Sequence, residues 1–378
     1  MKVLFVTHDA GLYGASRSLQ PVVKGFAGEV ADLIVSRRFV DNVSAADLHA
    51  RFGDHLRRIY RYFLPFDRIY RGKDTRQARS AVSMAARAML WRAQRPAVTR
   101  LLETEQYDMI HLNSLSLFGL VDPAYPFFIH VREIYDGTNP MVCTALRQAR
   151  GVIFIDEATK QPFQHLSLPN SIVLNNPFDM TPVDSYGMNH GRAYQDKVVF
   201  AIIGKLSENK GTQFVIETFR RFANENVMLL IVGNGDKGYV DSCKRYAEGD
   251  ARIRFLGEQP EIEKIYAIVD YVLRGEAYPC VGRTIYEGLY AGCEVIVPGG
   301  AEAETCFFET GRFSGKLHFY QPRNTESLMS QLTRQAGRKI LVRHPLSNVP
   351  EYLKLFKAFV SAESAGQSIP TPTVAVRP

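Results

Sequence analysis

One pattern constrains the fold of this chain more than any other, and it occurs twice: an unbroken apolar run, a glycine-bounded loop, then a helical pattern. The first copy is Lys2–Thr7, the loop Gly11-Leu12-Tyr13-Gly14-Ala15-Ser16-Arg17, and a helix carrying Leu19, Val22 and Val23. The second is Val198–Ile203, the loop Gly204-Lys205-Leu206-Ser207-Glu208-Asn209-Lys210-Gly211, and a helix carrying Phe214, Val215, Phe219 and Phe222. A continuous apolar run is what a strand buried on both faces of a parallel sheet requires. Strand, glycine loop and helix in that order begin a doubly wound α/β domain. Short apolar runs at 109–113, 127–131, 151–155 and 172–174 continue the first series, and runs at 227–232, 268–273 and 294–297 continue the second. At 378 residues the chain is also longer than one hydrophobic core usually serves. The expected division is a domain over 1–180, a domain over 195–345, an amphipathic helix over 346–362 and a disordered tail over 363–378. The polar stretch Asp179–Asp196, with its Gly and Pro, reads as the linker.

Ligands of such sheets sit beyond the carboxyl ends of the strands, so the loops carry the chemistry. Lys205 and Lys210 lie between a strand and a helix, where point charges and helix amides together make a diphosphate clamp. Solvated surface lysines are the competing reading. In the stretch Arg274–Gly292, Gly282 opens a helix whose first turn holds Arg283 and Thr284. Its unpaired N–H groups and positive dipole end suit an anion. Glu287 could accept two hydrogen bonds from a vicinal diol such as a ribose. Alternatively it forms a surface i, i+4 pair with Arg283 worth about 0.2–0.5 kcal/mol. Gly233-Asn234-Gly235-Asp236-Lys237-Gly238 matches G-x-G-x-x-G literally. It follows the second strand of its half, however, and no strand ending in an acid follows, so it reads as a tight turn near the ligand. In the first half the polar residues at strand tips are His111, Asn113, His130, Arg132 and Glu133. His130 is the best candidate there to touch a substrate; the alternative is a histidine bonded to a neighbouring loop carbonyl.

Net charge is +7, and residues 57–100 hold Arg57, Arg58, Arg61, Arg68, Arg71, Lys73, Arg76, Arg79, Arg87, Arg92, Arg95 and Arg100 against only Asp67 and Asp74. At 100° per residue, Lys73, Arg76, Arg79 and Arg87 share one stripe. Such a segment suits an anionic membrane surface or a pyrophosphate-bearing lipid, or is simply a solvated face. No nucleic-acid-binding motif accompanies it, so no nucleic-acid partner is expected. No apolar run is long enough to cross a bilayer, and the N-terminus lacks a signal-peptide core. Five dispersed cysteines fit reduced thiols. The expected location is cytoplasmic, peripheral on the inner face of the cytoplasmic membrane.

The order and spacing of these pieces resemble the retaining glycosyltransferases of the GT-B class, and specifically glycosyltransferase family 4. The resemblance runs through Gly14-Ala15-Ser16-Arg17, His130, Asn176-Pro177-Phe178-Asp179, Gly204-Lys205 and Lys210-Gly211. It continues through Leu230–Gly235, Phe255-Leu256-Gly257, Tyr266-Ala267 with Asp270, and Gly282 with Glu287-Gly288 and Ala291-Gly292. It implies two Rossmann-like doubly wound domains facing an interdomain cleft, with the acceptor on the first, the nucleotide sugar on the second, and the last helix crossing back to the first. The same resemblance puts the donor diphosphate on Lys205 and Lys210, the ribose on Glu287, and the diphosphate and donor sugar near Gly14. It puts His130 against the donor sugar at the reaction centre. Ser16, Arg17, Arg132, Gly204, Gly233, Glu276, Gly282, Arg283 and Thr284 are expected to line the substrates. The implied reaction moves a sugar, with retention, from a UDP- or GDP-linked donor to a glycan or lipid-linked acceptor in cell-surface polysaccharide or glycoconjugate synthesis. No metal or other cofactor is called for, because fixed cations and amides can stabilise the charge growing on the leaving diphosphate. One position departs from the family: the glutamate usual three residues before Gly282 is Pro279, and the nearest carboxylate is Glu276. A catalytically silent nucleotide-binding subunit, a sugar-nucleotide epimerase, and an oxidoreductase using Gly233–Gly238 are the alternatives.

Overall fold

A computed structural model describes residues 1–8, 11, 14–37, 43–65, 81–135, 137–190, 194, 196–278, 282–300 and 312–365. The chain divides into two compact units, Met1–Pro177 together with the segment from Val349 on, and Phe178–Asn348.

The first unit is built on a seven-stranded sheet: β1 (Lys2–Thr7), β2 (Val30–Ser36), β3 (Arg58–Tyr62), β4 (Met109–Leu112), β5 (Phe127–Val131), β6 (Gly151–Phe154) and β7 (Ser171–Val173). The spatial order is β3-β2-β1-β4-β5-β6-β7, with every neighbouring pair parallel. The chain winds outward from β1 to the β3 edge, then returns along the helix Ala81–Glu105 to lay β4 on the other side of β1. That reversal between β1 and β4 is where such a sheet opens a crevice. Apolar clusters cover both faces. One holds Leu4, Val6, Ile110 and Ile129; the other holds Phe5, Phe26 and Phe128 with Tyr352, Phe356, Phe359 and Val360 of the helix Val349–Ala365. Phe356 meets Phe26 edge-on at 5.9 Å and Phe359 meets Phe128 at 6.0 Å. Aromatic burial therefore fixes this last helix on the first unit.

The second unit repeats the plan with six parallel strands: β8 (Val198–Ile203), β9 (Val227–Val232), β10 (Ile253–Gly257), β11 (Tyr271–Leu273), β12 (Glu294–Pro298) and β13 (Leu317–Tyr320). Their order is β10-β9-β8-β11-β12-β13, so the reversal falls between β8 and β11.

Two expectations need correction. The stretch 179–196 is not a plain linker: it contains the helix Val183–His190, and Phe178, Met180 and Val183 are buried in the core of the second unit. Those apolar residues stand among polar ones, which hid them. Nor is the basic segment solvated throughout, since Arg57, Arg58 and Arg87 are paired or buried. Arg57 pairs with the wholly buried Asp32 and with Glu105 at 2.7 Å, and Arg58 pairs with Glu105 at 2.8 Å. Arg87 is buried and donates to Ser36 Oγ at 3.3 Å and to the Arg37 and Leu64 carbonyls at 3.4 Å. Arg92, Arg95 and Arg100 are exposed. Arg68, Arg71, Lys73, Arg76 and Arg79 lie outside the described residues, as do Pro279 and 366–378 of the tail. Among the described residues, no helix is long and apolar enough to cross a membrane.

Candidate functional site

In the second unit the loops leaving β8 and β11 meet backbone to backbone. A Cβ on Gly211, which has φ 63°, would lie 1.6 Å from the Gly275 carbonyl oxygen, so only glycine lets the loops approach this closely. A Cβ on Gly233 would lie 1.9 Å from the Gly204 carbonyl oxygen, and Leu206 donates to the Asn234 carbonyl at 2.9 Å. The glycines of 233–238 that caught attention as a G-x-G-x-x-G pattern thus serve, at Gly233, to pack one loop on another.

Three charges meet across that contact. Lys210 Nζ lies 3.3 Å from Glu276 Oε1, while Arg274 Nε donates to the two Glu276 oxygens at 3.1 and 3.2 Å and Arg274 Nη2 donates to Oε1. Arg274 Nη1 donates to Thr284 Oγ1, and any side chain on Gly282 would meet the Arg274 guanidinium at 3.1 Å. The guanidinium therefore lies against the start of the helix Arg283–Tyr290, which Gly282 leaves without a side-chain cap. Glu276 is wholly buried. Burial pushes its carboxyl up, but Arg274 and then Lys210 outweigh that and hold it below the usual carboxylate range. Glu276 is accordingly an anchor for two cations. Thr284 is also the neighbour nearest the Cβ position of Gly204, at 3.9 Å. Lys205 is exposed and makes no ion pair among the described residues.

Arg283 and Glu287 do pair, at 2.8 Å, but not on the surface: their side chains are 16% and 2% exposed. The Tyr266 hydroxyl lies 3.1 Å from Glu287 Oε2 and 3.2 Å from the Thr284 carbonyl, and the Arg283 guanidinium sits over the Phe178 ring at 4.9 Å. An ionised carboxylate has about four acceptor positions, so this pairing is compatible with a diol at the same group. Sequence reasoning assigned no role to Arg274 or Tyr266. The available signal was a cation closing an otherwise apolar strand at the point of reversal.

The first unit assembles a different arrangement. Gly14, at φ 58°, begins the helix Gly14–Lys24, on whose first turn Ser16 is buried and Arg17 half-buried. Ser16 Oγ has no hydrogen-bond partner among the described residues. Asn113, just past β4, donates to the Ala15 carbonyl at 2.9 Å and accepts from Arg132 Nε at 3.1 Å. Arg132, just past β5, also donates through Nη1 to Asn176 Oδ1 and through Nη2 to His130 Nδ1, the latter at 3.0 Å. Asn176, too, went without a role in the sequence reading. His130 is not at the tip of its strand. It is the fourth residue of β5 and wholly buried, its ring 5.5 Å edge-on from His111, which abuts Phe5 at 5.7 Å and Phe356 at 5.6 Å. Burial, then Arg132 and His111, hold the His130 imidazole well below its ordinary pKa, and burial then Arg132 bring His111 down to about 3. The residue at the tip is Arg132. A cavity of about 680 Å³ lies elsewhere, at the amino ends of β4–β7, beside Asp108, Tyr125, Arg150 and Asn170. None of the predicted site residues lines it.

Residues 197–335 match the family model for Glycosyl transferases group 1. The match lies wholly inside the second unit, on the loops just described. A glycogen synthase of Clostridium novyi is 24% identical over 212 residues, covering 52% of this chain and 42% of that protein, so the alignment spans under half of the curated relative. Among solved structures, Anabaena HepE in complex with UDP and glucose superposes with a TM-score of 0.66 at 17% identity, covering 97% of this chain and 95% of the other. Sucrose-phosphate synthase of Thermosynechococcus elongatus gives 0.62 at 13% identity, with coverages of 97% and 95%. The lipopolysaccharide outer core galactosyltransferase WaaB gives 0.59 at 14% identity, with coverages of 97% and 99%. The fold is that of the GT-B glycosyltransferases.

Proposed function

We propose that this chain is a retaining glycosyltransferase that moves a sugar from a nucleoside diphosphate donor to a glycan or lipid-linked acceptor. One observation carries the reading. Lys210, Arg274 and the uncapped start of the helix Arg283–Tyr290 converge beyond β8 and β11, within the stretch matched by group 1 glycosyltransferases. In this reading the donor diphosphate lies against Lys205, Lys210 and the helix amides, which take up the charge that grows as the glycosidic bond breaks, and no metal is required. Glu287 takes the ribose. The HepE structures in complex with UDP and with UDP-glucose favour uridine as the base. The exposed Arg92, Arg95 and Arg100 support contact with an anionic surface that presents the acceptor.

A thermal-shift panel of UDP, GDP and their sugars tests this, since a ligand that binds the folded state raises the melting temperature by mass action. UDP is expected to stabilise the protein, and donor consumption to follow when an acceptor is supplied. Lys210→Ala and Glu287→Ala should each weaken UDP binding by about tenfold to a hundredfold, the usual worth of a hydrogen bond to a charged group. Unaltered UDP affinity in both variants would sink the reading.

A further inference from the structure

Arginine does not give up its proton, so the 3.0 Å contact between Arg132 Nη2 and His130 Nδ1 has only one direction: Arg132 donates and Nδ1 accepts. A neutral imidazole that accepts at Nδ1 carries its hydrogen on Nε2. His111 Nε2 lies 3.3 Å from the same Nδ1 and, facing an atom without hydrogen, must be the donor there. Both rings are thereby fixed as neutral tautomers in an aromatic surround. His130 Nε2 is buried and has no partner among the described residues, and the whole residue is inaccessible. Arg132, by contrast, is half-buried just past the end of β5, gripped by Asn113, Asn176 and His130 on its three nitrogens.

We propose that His130 is a positioning residue that holds Arg132 through Nδ1, and that Arg132 is the group of the first unit that meets the substrate, at an anionic oxygen. This rests on the glycosyltransferase reading above. A guanidinium held at three of its nitrogens has a set orientation, which is what recognition of a phosphate or carboxylate oxygen needs.

Isosteres separate the two roles of the ring. Asparagine places its amide near the position of Nδ1, and glutamine places its amide near that of Nε2. His130→Asn should therefore keep kcat within about threefold of wild type, whereas His130→Gln and His130→Leu should lose about tenfold or more, the usual effect of removing a hydrogen bond to a charged group. Asn176→Ala removes another acceptor of Arg132 without touching the strand, and should show a similar loss. An active His130→Gln beside an inactive His130→Asn would overturn the proposal in favour of direct contact through Nε2. If the His130 variants do not fold, Asn176→Ala decides, and a wild-type rate would overturn it. A wild-type protein that transfers no sugar from any UDP or GDP donor refutes the functional reading instead, and the arrangement is then tested by 15N spectra of histidine-labelled protein. Those should show His130 protonated on Nε2, with an Nδ1 resonance that moves in Arg132→Met; a proton on Nδ1 overturns the proposal.

Discussion

At the reversal of the second sheet, charge is set against charge: Glu276, wholly buried, is shared by Arg274 and Lys210, and the loops beneath them touch through glycine backbones. At the reversal of the first sheet a single arginine is held by two amides and a neutral imidazole. The strands are laid down in the same order about both points, so topology does not account for the difference. Side-chain chemistry does. Ion pairs anchored by a buried carboxylate fix two cations rigidly and surrender part of their charge to it. Amide and imidazole acceptors fix one cation through hydrogen bonds to three of its nitrogens. The first arrangement suits a ligand of high charge density such as a diphosphate. The second suits a single oxygen met at a set angle.

The largest expected effect separates the two designs directly. Arg274→Met leaves Glu276 buried with only the half-exposed Lys210 opposite it, and breaking such a buried pair costs about 3–5 kcal/mol. Arg132→Met takes one donor from each of three neutral acceptors, of which His130 Nδ1 keeps His111 Nε2, at about 1–3 kcal/mol, because amides and imidazole desolvate more cheaply than a carboxylate. The two units need not unfold together, so hydrogen exchange read on peptides from each sheet is the appropriate measure. Equal losses of protection in the two variants would erase the distinction.

The glycines sharpen it next. Gly14 and Gly211 have similar backbone angles, φ 58° and φ 63°, in the loops that follow the first strand of each unit. A Cβ on Gly14 meets nothing within 4 Å, whereas one on Gly211 would overlap the Gly275 carbonyl. Gly14→Ala should therefore cost only the left-handed backbone term, about 1 kcal/mol. Gly211→Ala must also push two loops apart and should cost about 2–3 kcal/mol more, with weaker UDP binding. Comparable melting temperatures for the two variants would contradict the tight loop contact.

What could be read in advance follows the same physics. The strands β1, β5, β8 and β9 were legible to the residue, because burial on both faces favours a nearly unbroken apolar run, which in β5 is interrupted by His130. Four strands escaped notice, among them the short edge strand β13, in which His318 interrupts the apolar residues. The apolar run of β2 is broken by Asp32, whose partners Arg57 and Tyr107 lie far along the chain. Strands β3 and β10 are edge strands bearing arginines, and edges carry charge. Within the candidate site, Lys210, Gly204 and Glu287 were singled out from their loops, with solvated lysines and a surface ion pair left open until the family resemblance was weighed. Arg274 was not, because its role depends on Glu276 and Thr284, which only the folded loop brings to its guanidinium. Asn176 reaches Arg132 from the far side of two further strands. His130 was misjudged although the bounds of its strand were right: it stands one residue inside the end with its ring buried, and the residue that clears the strand is Arg132.

Acid should then loosen the two sheets in order. The folded pKa values of His111, about 3, and of His130 lie below the ordinary value of 6.5, so below that pH the unfolded chain binds protons that the folded one refuses. Their contribution to stability is whole above pH 6.5 and is lost as pH falls toward the folded values. Going from pH 7.5 to 6.0 should weaken the first unit by about 1–2 kcal/mol for the two rings together. Glu276 has a folded value below its ordinary 4.5, so its contribution is whole above that pH and is lost only at lower pH. Across the same interval, hydrogen exchange corrected for intrinsic rates should therefore accelerate in β4 and β5 while β8 and β11 hold. His111→Phe should blunt the acceleration, because it removes one of the two groups that titrate. Equal acceleration in both sheets, or an undiminished response in His111→Phe, would mean that the neutral histidine pair is not what makes the first unit sensitive to acid.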